Sequence, residues 1–184
     1  MDAQCENVAR CFLFGWHNRQ YYRIVDCSQG LIRAMLHYGY KGLAVLISER
    51  GHYSLGKSAD LLGIGRDNFI AIKTADNNKV DVDAMRAKAH ELAAQGIKVM
   101  AIVGVAGTTE TGNIDPLDAM ADLSAELNCH FHVDAAWGGA TLLSSTYRSL
   151  LKGIERADSI TIDAHKQMYV PMGAGLVAAL VWLC

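Results

Sequence analysis

Val99-Met-Ala-Ile-Val-Gly-Val105 is apolar from end to end, and Ala106-Gly-Thr-Thr-Glu-Thr-Gly112 follows it without a break. An unbroken apolar run closed by a glycine-containing turn is the pattern of a strand covered on both faces, as parallel strands are. Further strands are expected over Leu43–Ser48, Phe69–Lys73, Phe131–Val133 and Ser159–Ile162, and Leu176–Leu183 is another apolar run. The intervening stretches Leu31–His37, Leu55–Leu62, Asp83–Ala94, Leu117–Leu127 and Thr146–Leu151 predict helices. Gly96 follows the third of these as a left-handed terminator. Asp115-Pro116 precedes the fourth as a capping carboxylate ahead of a proline in the first turn. Strand and helix in alternation predict a mostly parallel α/β sheet clad by helices.

The chain has 184 residues, 51 % hydrophobic and 20 % charged, with 17 Gly and 2 Pro. That composition excludes a disordered, collagenous or low-complexity chain and is ample for one hydrophobic core. Seventeen basic and 19 acidic residues give a formal charge of −2 without any basic cluster, so neither nucleic acid nor an anionic membrane is expected as a partner. The longest apolar run, Gly173–Cys184, is too short to span a bilayer. Five scattered cysteines with no CxxC pair point to reduced thiols and a cytoplasmic setting, with no zinc site expected. The expected organisation is an atypical N-terminal segment, residues 1–29, followed by a partial large domain over residues 30–184. Leu176–Leu183 has no polar exit, which reads as an interior piece of a longer protein.

In open α/β sheets ligands bind beyond the carboxyl ends of the strands. The residues there are Glu49-Arg-Gly-His-Tyr-Ser54, Gly107-Thr-Thr-Glu-Thr-Gly112, Asp134-Ala-Ala-Trp-Gly-Gly139 and Asp163-Ala-His-Lys166. Each has an ordinary structural use when taken singly: Asp134 as a turn cap, His52 as a surface histidine, the Gly-Thr-Thr segment as a tight turn, Lys166 as a solvated lysine. The glycines spell neither GxGxxG nor a Walker A loop. His130 and His132 alternate along one strand with no third ligand at metal spacing and read as structural. Together, a strand-end carboxylate, a lysine and a flat imidazole suit pyridoxal phosphate. Asp134 can keep the pyridine nitrogen protonated, so that the ring accepts electrons. A lysine in a partly buried site beside a cationic ring is favoured as the nucleophilic amine.

The stretches His132-Val-Asp-Ala-Ala-Trp-Gly-Gly139 and Ala157-Asp-Ser-Ile-Thr-Ile-Asp-Ala-His-Lys166, with Ser48-Glu-Arg-Gly-His-Tyr-Ser54 and Gly107-Thr-Thr-Glu-Thr-Gly-Asn-Ile-Asp-Pro116, resemble the group II pyridoxal-phosphate-dependent amino-acid decarboxylases. The resemblance runs from about Gly30 to Gly175. It implies the large domain of the aspartate-aminotransferase (type I) fold, a homodimer, and pyridoxal 5'-phosphate as cofactor. By the same resemblance Lys166 would bind the cofactor's aldehyde covalently, and Asp134 would pair with its ring nitrogen. His52 would stack on the ring, Ala136 would pack on the opposite face, Thr109 would lie at the polar edge, and His165 would reach the phosphate.

Three departures stand out, one of them the absence of the family's N-terminal dimer segment. Met1–Ser28 contains no Ser/Thr-Gly-Gly phosphate turn, and the family's mobile loop, small domain and substrate-binding arginine have no counterpart before Cys184. The implied reaction is α-decarboxylation of an acidic amino acid, L-aspartate to β-alanine first and glutamate next, on the look of residues 165–175. Alternatives are another type I pyridoxal-phosphate enzyme (an aminotransferase or a desulfurase) and a catalytically inactive remnant.

Overall fold

The computed structural model describes residues 7–13 and 42–182. The predicted helix Leu31–His37 lies outside them. Seven strands, β1 (Asn7–Leu13), β2 (Leu43–Ser48), β3 (Phe69–Ile72), β4 (Lys98–Val105), β5 (His130–Asp134), β6 (Ser159–Ile162) and β7 (Leu176–Trp182), form one sheet. Its order is β1-β7-β6-β5-β4-β2-β3. β6, β5, β4, β2 and β3 run parallel, whereas β7 is antiparallel to both β6 and β1. The expected mostly parallel α/β sheet is therefore what forms, and the unbroken run Val99–Val105 lies near its middle, buried throughout.

Among the described residues three α-helices pack on the sheet: α1 (Ser54–Leu61), α2 (Val82–Ala94) and α3 (Leu117–Leu127). The Asp81 carboxylate caps α2 by accepting from Ala84 N at 3.0 Å, and Gly96 follows the helix at φ +75°. Met85, Ala89 and Leu92 recur at helical spacing and are buried. α3 buries Leu117, Met120, Ala121 and Ser124 in the same way and ends at Asn128, whose left-handed conformation closes the last turn. These two helices cover one face of the sheet, where Leu46, Ile102, Phe131 and Val133 are fully buried. Val45, Ile47, Met100 and Val103 line a second cluster with Leu55 of α1.

Two expectations are corrected. Thr146–Leu151 is not an α-helix: only Arg148–Leu151 is helical, as a 3-10 turn entered from Tyr147. Asp115 does not cap α3, whose first turn receives no side-chain hydrogen bond. The Asp115 carboxylate instead accepts Val80 N at 2.8 Å and Val105 N at 2.9 Å, tying the end of β4 to the segment that leads into α2. A buried backbone N–H must find an acceptor, and two such donors outcompete the helix start for this carboxylate.

Candidate active site

The parallel strands β2, β4, β5 and β6 are neighbours in the sheet and all end on the same edge. Their terminal loops are joined there by backbone hydrogen bonds. Gly138 N donates to Ala106 O at 2.9 Å, linking the loop after β5 to the end of β4. Asp163 N donates to Ala136 O at 3.2 Å, linking the end of β6 to the loop after β5. The first link requires glycine: a Cβ on Gly138 would lie 2.4 Å from Ala106 O. Gly107, at φ +97°, begins a turn in which its own N–H and that of Thr108 both donate to Asn113 O, at 3.0 and 2.9 Å.

The side chains follow from this frame. Asp134 is 6 % exposed and takes Ala136 N on Oδ1 at 3.1 Å. On β6 the register sets Thr161 opposite it. The Thr161 hydroxyl is buried and has no hydrogen-bond partner among the described residues. Lys166, on the turn after β6, lies with Nζ 3.2 Å from Asp163 Oδ2. His165 donates from Nδ1 to Ala174 O at 2.7 Å and turns Nε2 toward the same Asp163 oxygen, 3.9 Å away.

His52 follows β2, with Nδ1 2.5 Å from Ser54 Oγ. Burial holds the His52 imidazole below its ordinary pKa, aided by the Lys166 charge and opposed by Asp134, Glu110 and Asp163. The imidazole is thus favoured as the neutral ring. The same charges place His52, Asp134, Lys166 and Asp163 in one electrostatic neighbourhood, although they come from three different strand ends.

Ala136 sits between Asp134 and the β6 loop, with both its N–H and its carbonyl engaged. Thr109 is exposed on the Gly107 turn. Its neighbour Thr108 is buried and makes the internal bonds, to Thr111 Oγ1 at 2.8 Å and from Asn113 N at 3.0 Å. His130 Nε2 and His132 Nδ1 both approach Ser159 Oγ, at 2.7 and 2.8 Å. Sequence reasoning passed over Asp163 and Thr161. Asp163 had a legible signal, an acid three residues before the lysine at a strand end, whereas Thr161 becomes visible only through strand register.

A buried carboxylate, an amine and a flat neutral ring converging at the carboxyl edge of a parallel sheet define a site for a carbonyl-bearing aromatic cofactor. The class is that of pyridoxal-phosphate enzymes with the α/β large domain. The family model for the "Pyridoxal-dependent decarboxylase conserved domain" matches residues 34–181, and the chain belongs to that family. It is 63 % identical over 150 residues to the aspartate 1-decarboxylase of Aliivibrio fischeri, covering 82 % of this chain and 27 % of that protein. It is 44 % identical over 137 residues to the L-2,4-diaminobutyrate decarboxylase of Rhizobium meliloti, covering 74 % and 28 %. The crystal structure of mouse CSAD superposes with a TM-score of 0.87 at 30 % identity, covering 94 % of this chain and 37 % of that one. The chain therefore spans less than a third of the length of these curated relatives.

The residues present fit pyridoxal phosphate. Asp134 offers a buried anion for a ring nitrogen, Lys166 an amine for an aldehyde, and His52 a flat face. The orphaned Thr161 hydroxyl beside Asp134 adds a buried polar atom in need of a partner.

Proposed function

We propose that this site serves α-decarboxylation of an acidic amino acid, with L-aspartate, giving β-alanine, ahead of glutamate. The observation that carries the reading is the convergence of Asp134, Lys166 and His52 on one sheet edge in a chain of the decarboxylase family. Aspartate is favoured because identity to the aspartate 1-decarboxylase is 63 %, against 44 % and 38 % for two diaminobutyrate decarboxylases.

Bound pyridoxal phosphate supplies a ring that accepts the electron pair left behind as carbon dioxide departs. Asp134 holds a proton on the ring nitrogen through its buried carboxylate. Lys166 Nζ would hold the cofactor's carbonyl end and would hold a proton for return to the substrate carbon. His52 and Ala136 would hold the ring from its two faces, between the β2 and β5 loops. By the family resemblance His165 would help hold the phosphate, and Thr109 would lie at the ring's polar edge. A homodimer in the cytoplasm completes the proposal. It is supported by exposed Leu143, Tyr147, Leu150, Tyr169 and Met172, which favour a covering surface.

Incubation of the chain with pyridoxal phosphate, borohydride reduction and peptide mapping tests the site. A single stoichiometric adduct on Lys166 is expected, and adducts scattered over many lysines would overturn it. In the full-length protein, Asp134→Ala should lower turnover by at least about 100-fold, judged by typical electrostatic contributions to catalysis. Near-normal turnover would remove Asp134 from its role. Assays with aspartate, glutamate, diaminobutyrate and cysteine sulfinate decide the substrate.

A further inference from the structure

Asp163 carries more charge contact than any motif assigned to it. Its side chain is 6 % exposed, and within 4 Å it meets two basic groups, Lys166 Nζ at 3.2 Å and His165 Nε2 at 3.9 Å. The His165 side chain is 5 % exposed and that of Lys166 29 %. The backbone sets all three in place. Asp163 N is held by Ala136 O, Lys166 N donates to Asp163 O at 3.1 Å, and His165 N and Nδ1 both donate to Ala174 O, at 3.3 and 2.7 Å. A carbonyl can only accept, so Nδ1 carries a hydrogen, and Nε2, the nitrogen that gains or lacks the second proton, faces the carboxylate. Asp134, Glu110, Lys166 and Asp163 all act electrostatically on the nearby His52 imidazole. A carboxylate withdrawn from water is retained where basic partners compensate it, and here both partners belong to the His-Lys pair of the site.

We propose that Asp163 is a positioning residue for the decarboxylation: its carboxylate fixes the place of Lys166 Nζ, 3.2 Å away, and faces His165 Nε2. The proposal rests on Lys166 being the cofactor-binding amine. A lysine in that role must act as an amine toward a carbonyl and as an ammonium toward carbon. Asp163 fixes where that nitrogen sits. Removing the carboxylate releases Nζ from this contact and leaves the lysine side chain mobile.

The test uses the chain without cofactor, so it is independent of the borohydride map. Pulse labelling with trinitrobenzenesulfonate near pH 8, which reacts with unprotonated amines, is quantified by peptide mass, with exposed Lys98 as internal reference. Asp163→Asn keeps the side-chain size and removes the charge. It is expected to raise the Lys166:Lys98 labelling ratio about 3- to 5-fold by releasing Nζ from one close, partly exposed ion pair. Asp163→Glu restores a carboxylate and is expected to stay within about twofold of the native ratio on the same scale. Asp163→Ser removes the charge with a different steric change and should follow the Asn variant. An unchanged ratio in the Asn and Ser variants overturns the proposal. So does loss of the fold in both by circular dichroism, which would make Asp163 a carboxylate that only maintains the turn. A chain that forms the borohydride adduct on Lys166 but shows no labelling change refutes the role of Asp163 alone.

Discussion

His52 has its imidazole half withdrawn from water, and burial is the largest influence on its proton. A histidine whose folded pKa lies below its ordinary 6.5 resists a proton that the unfolded chain accepts. The folded state therefore loses stability as pH falls through about 6.5, and nothing is lost above neutrality. Urea midpoints of the chain measured near pH 7.5 and near pH 5.5 should differ, and His52→Gln should narrow the gap. An equal gap in the variant would show that the ring does not titrate against its surroundings. At this scale Asp134, Lys166 and His52 could be read from the sequence because each follows an apolar run, where a parallel sheet exposes its ligand-binding edge. Thr108 and Thr109 could not be told apart, since only the closed turn at Gly107 decides which hydroxyl faces inward. Asp163 stood at a strand end three residues before the lysine, but which groups its carboxylate meets is set by the turn after β6.

At the level of elements, the Asp115 carboxylate straps β4 to the entry of α2 through two backbone donors. Burial raises its pKa above the ordinary 3.8, against the pull of the Val80 and Val105 N–H groups and of Lys79. Folded Asp115 therefore binds its proton more tightly than the unfolded chain does. Stability falls as pH rises from about 3.8 through the raised value, and above it the full penalty of the buried charge is present. Asp115→Asn sets an amide N–H against one of the two backbone donors and should cost about 1–3 kcal/mol. Because the variant escapes the ionisation penalty, its deficit should be smaller near pH 7.5 than near pH 3.5, below the ordinary carboxylate value, in denaturant titrations. A deficit that grows with pH would reverse the assigned direction. Helices α2 and α3 were legible from apolar spacing, and Gly96 marked the end of α2. The segment 146–151 misled because its apolar residues are too few to distinguish an α-helix from a 3-10 turn.

For the molecule as a whole, alternation of strand and helix made the parallel sheet legible, but the position of β7 could not be read. An apolar run carries no sign of its direction, and β7 inserts antiparallel between β6 and β1. Leu143, Leu150, Tyr169 and Met172 lie open on the surface, an apolar exposure that a second copy would relieve. Sedimentation of the full-length protein should give a dimer, and a strict monomer at micromolar concentration would remove the homodimer from the proposal. The bonds from Gly138 N to Ala106 O and from Asp163 N to Ala136 O lie in loops, where deuterium normally replaces amide hydrogen quickly. Here the loops are fastened strand to strand, so neither amide is released by a local fluctuation of one loop. In native-state exchange both should carry protection close to that of the β4 and β5 amides, and they should lose it together with the sheet. The binding edge then opens only when the molecule unfolds, so a ligand reaches a surface that is already in its final shape.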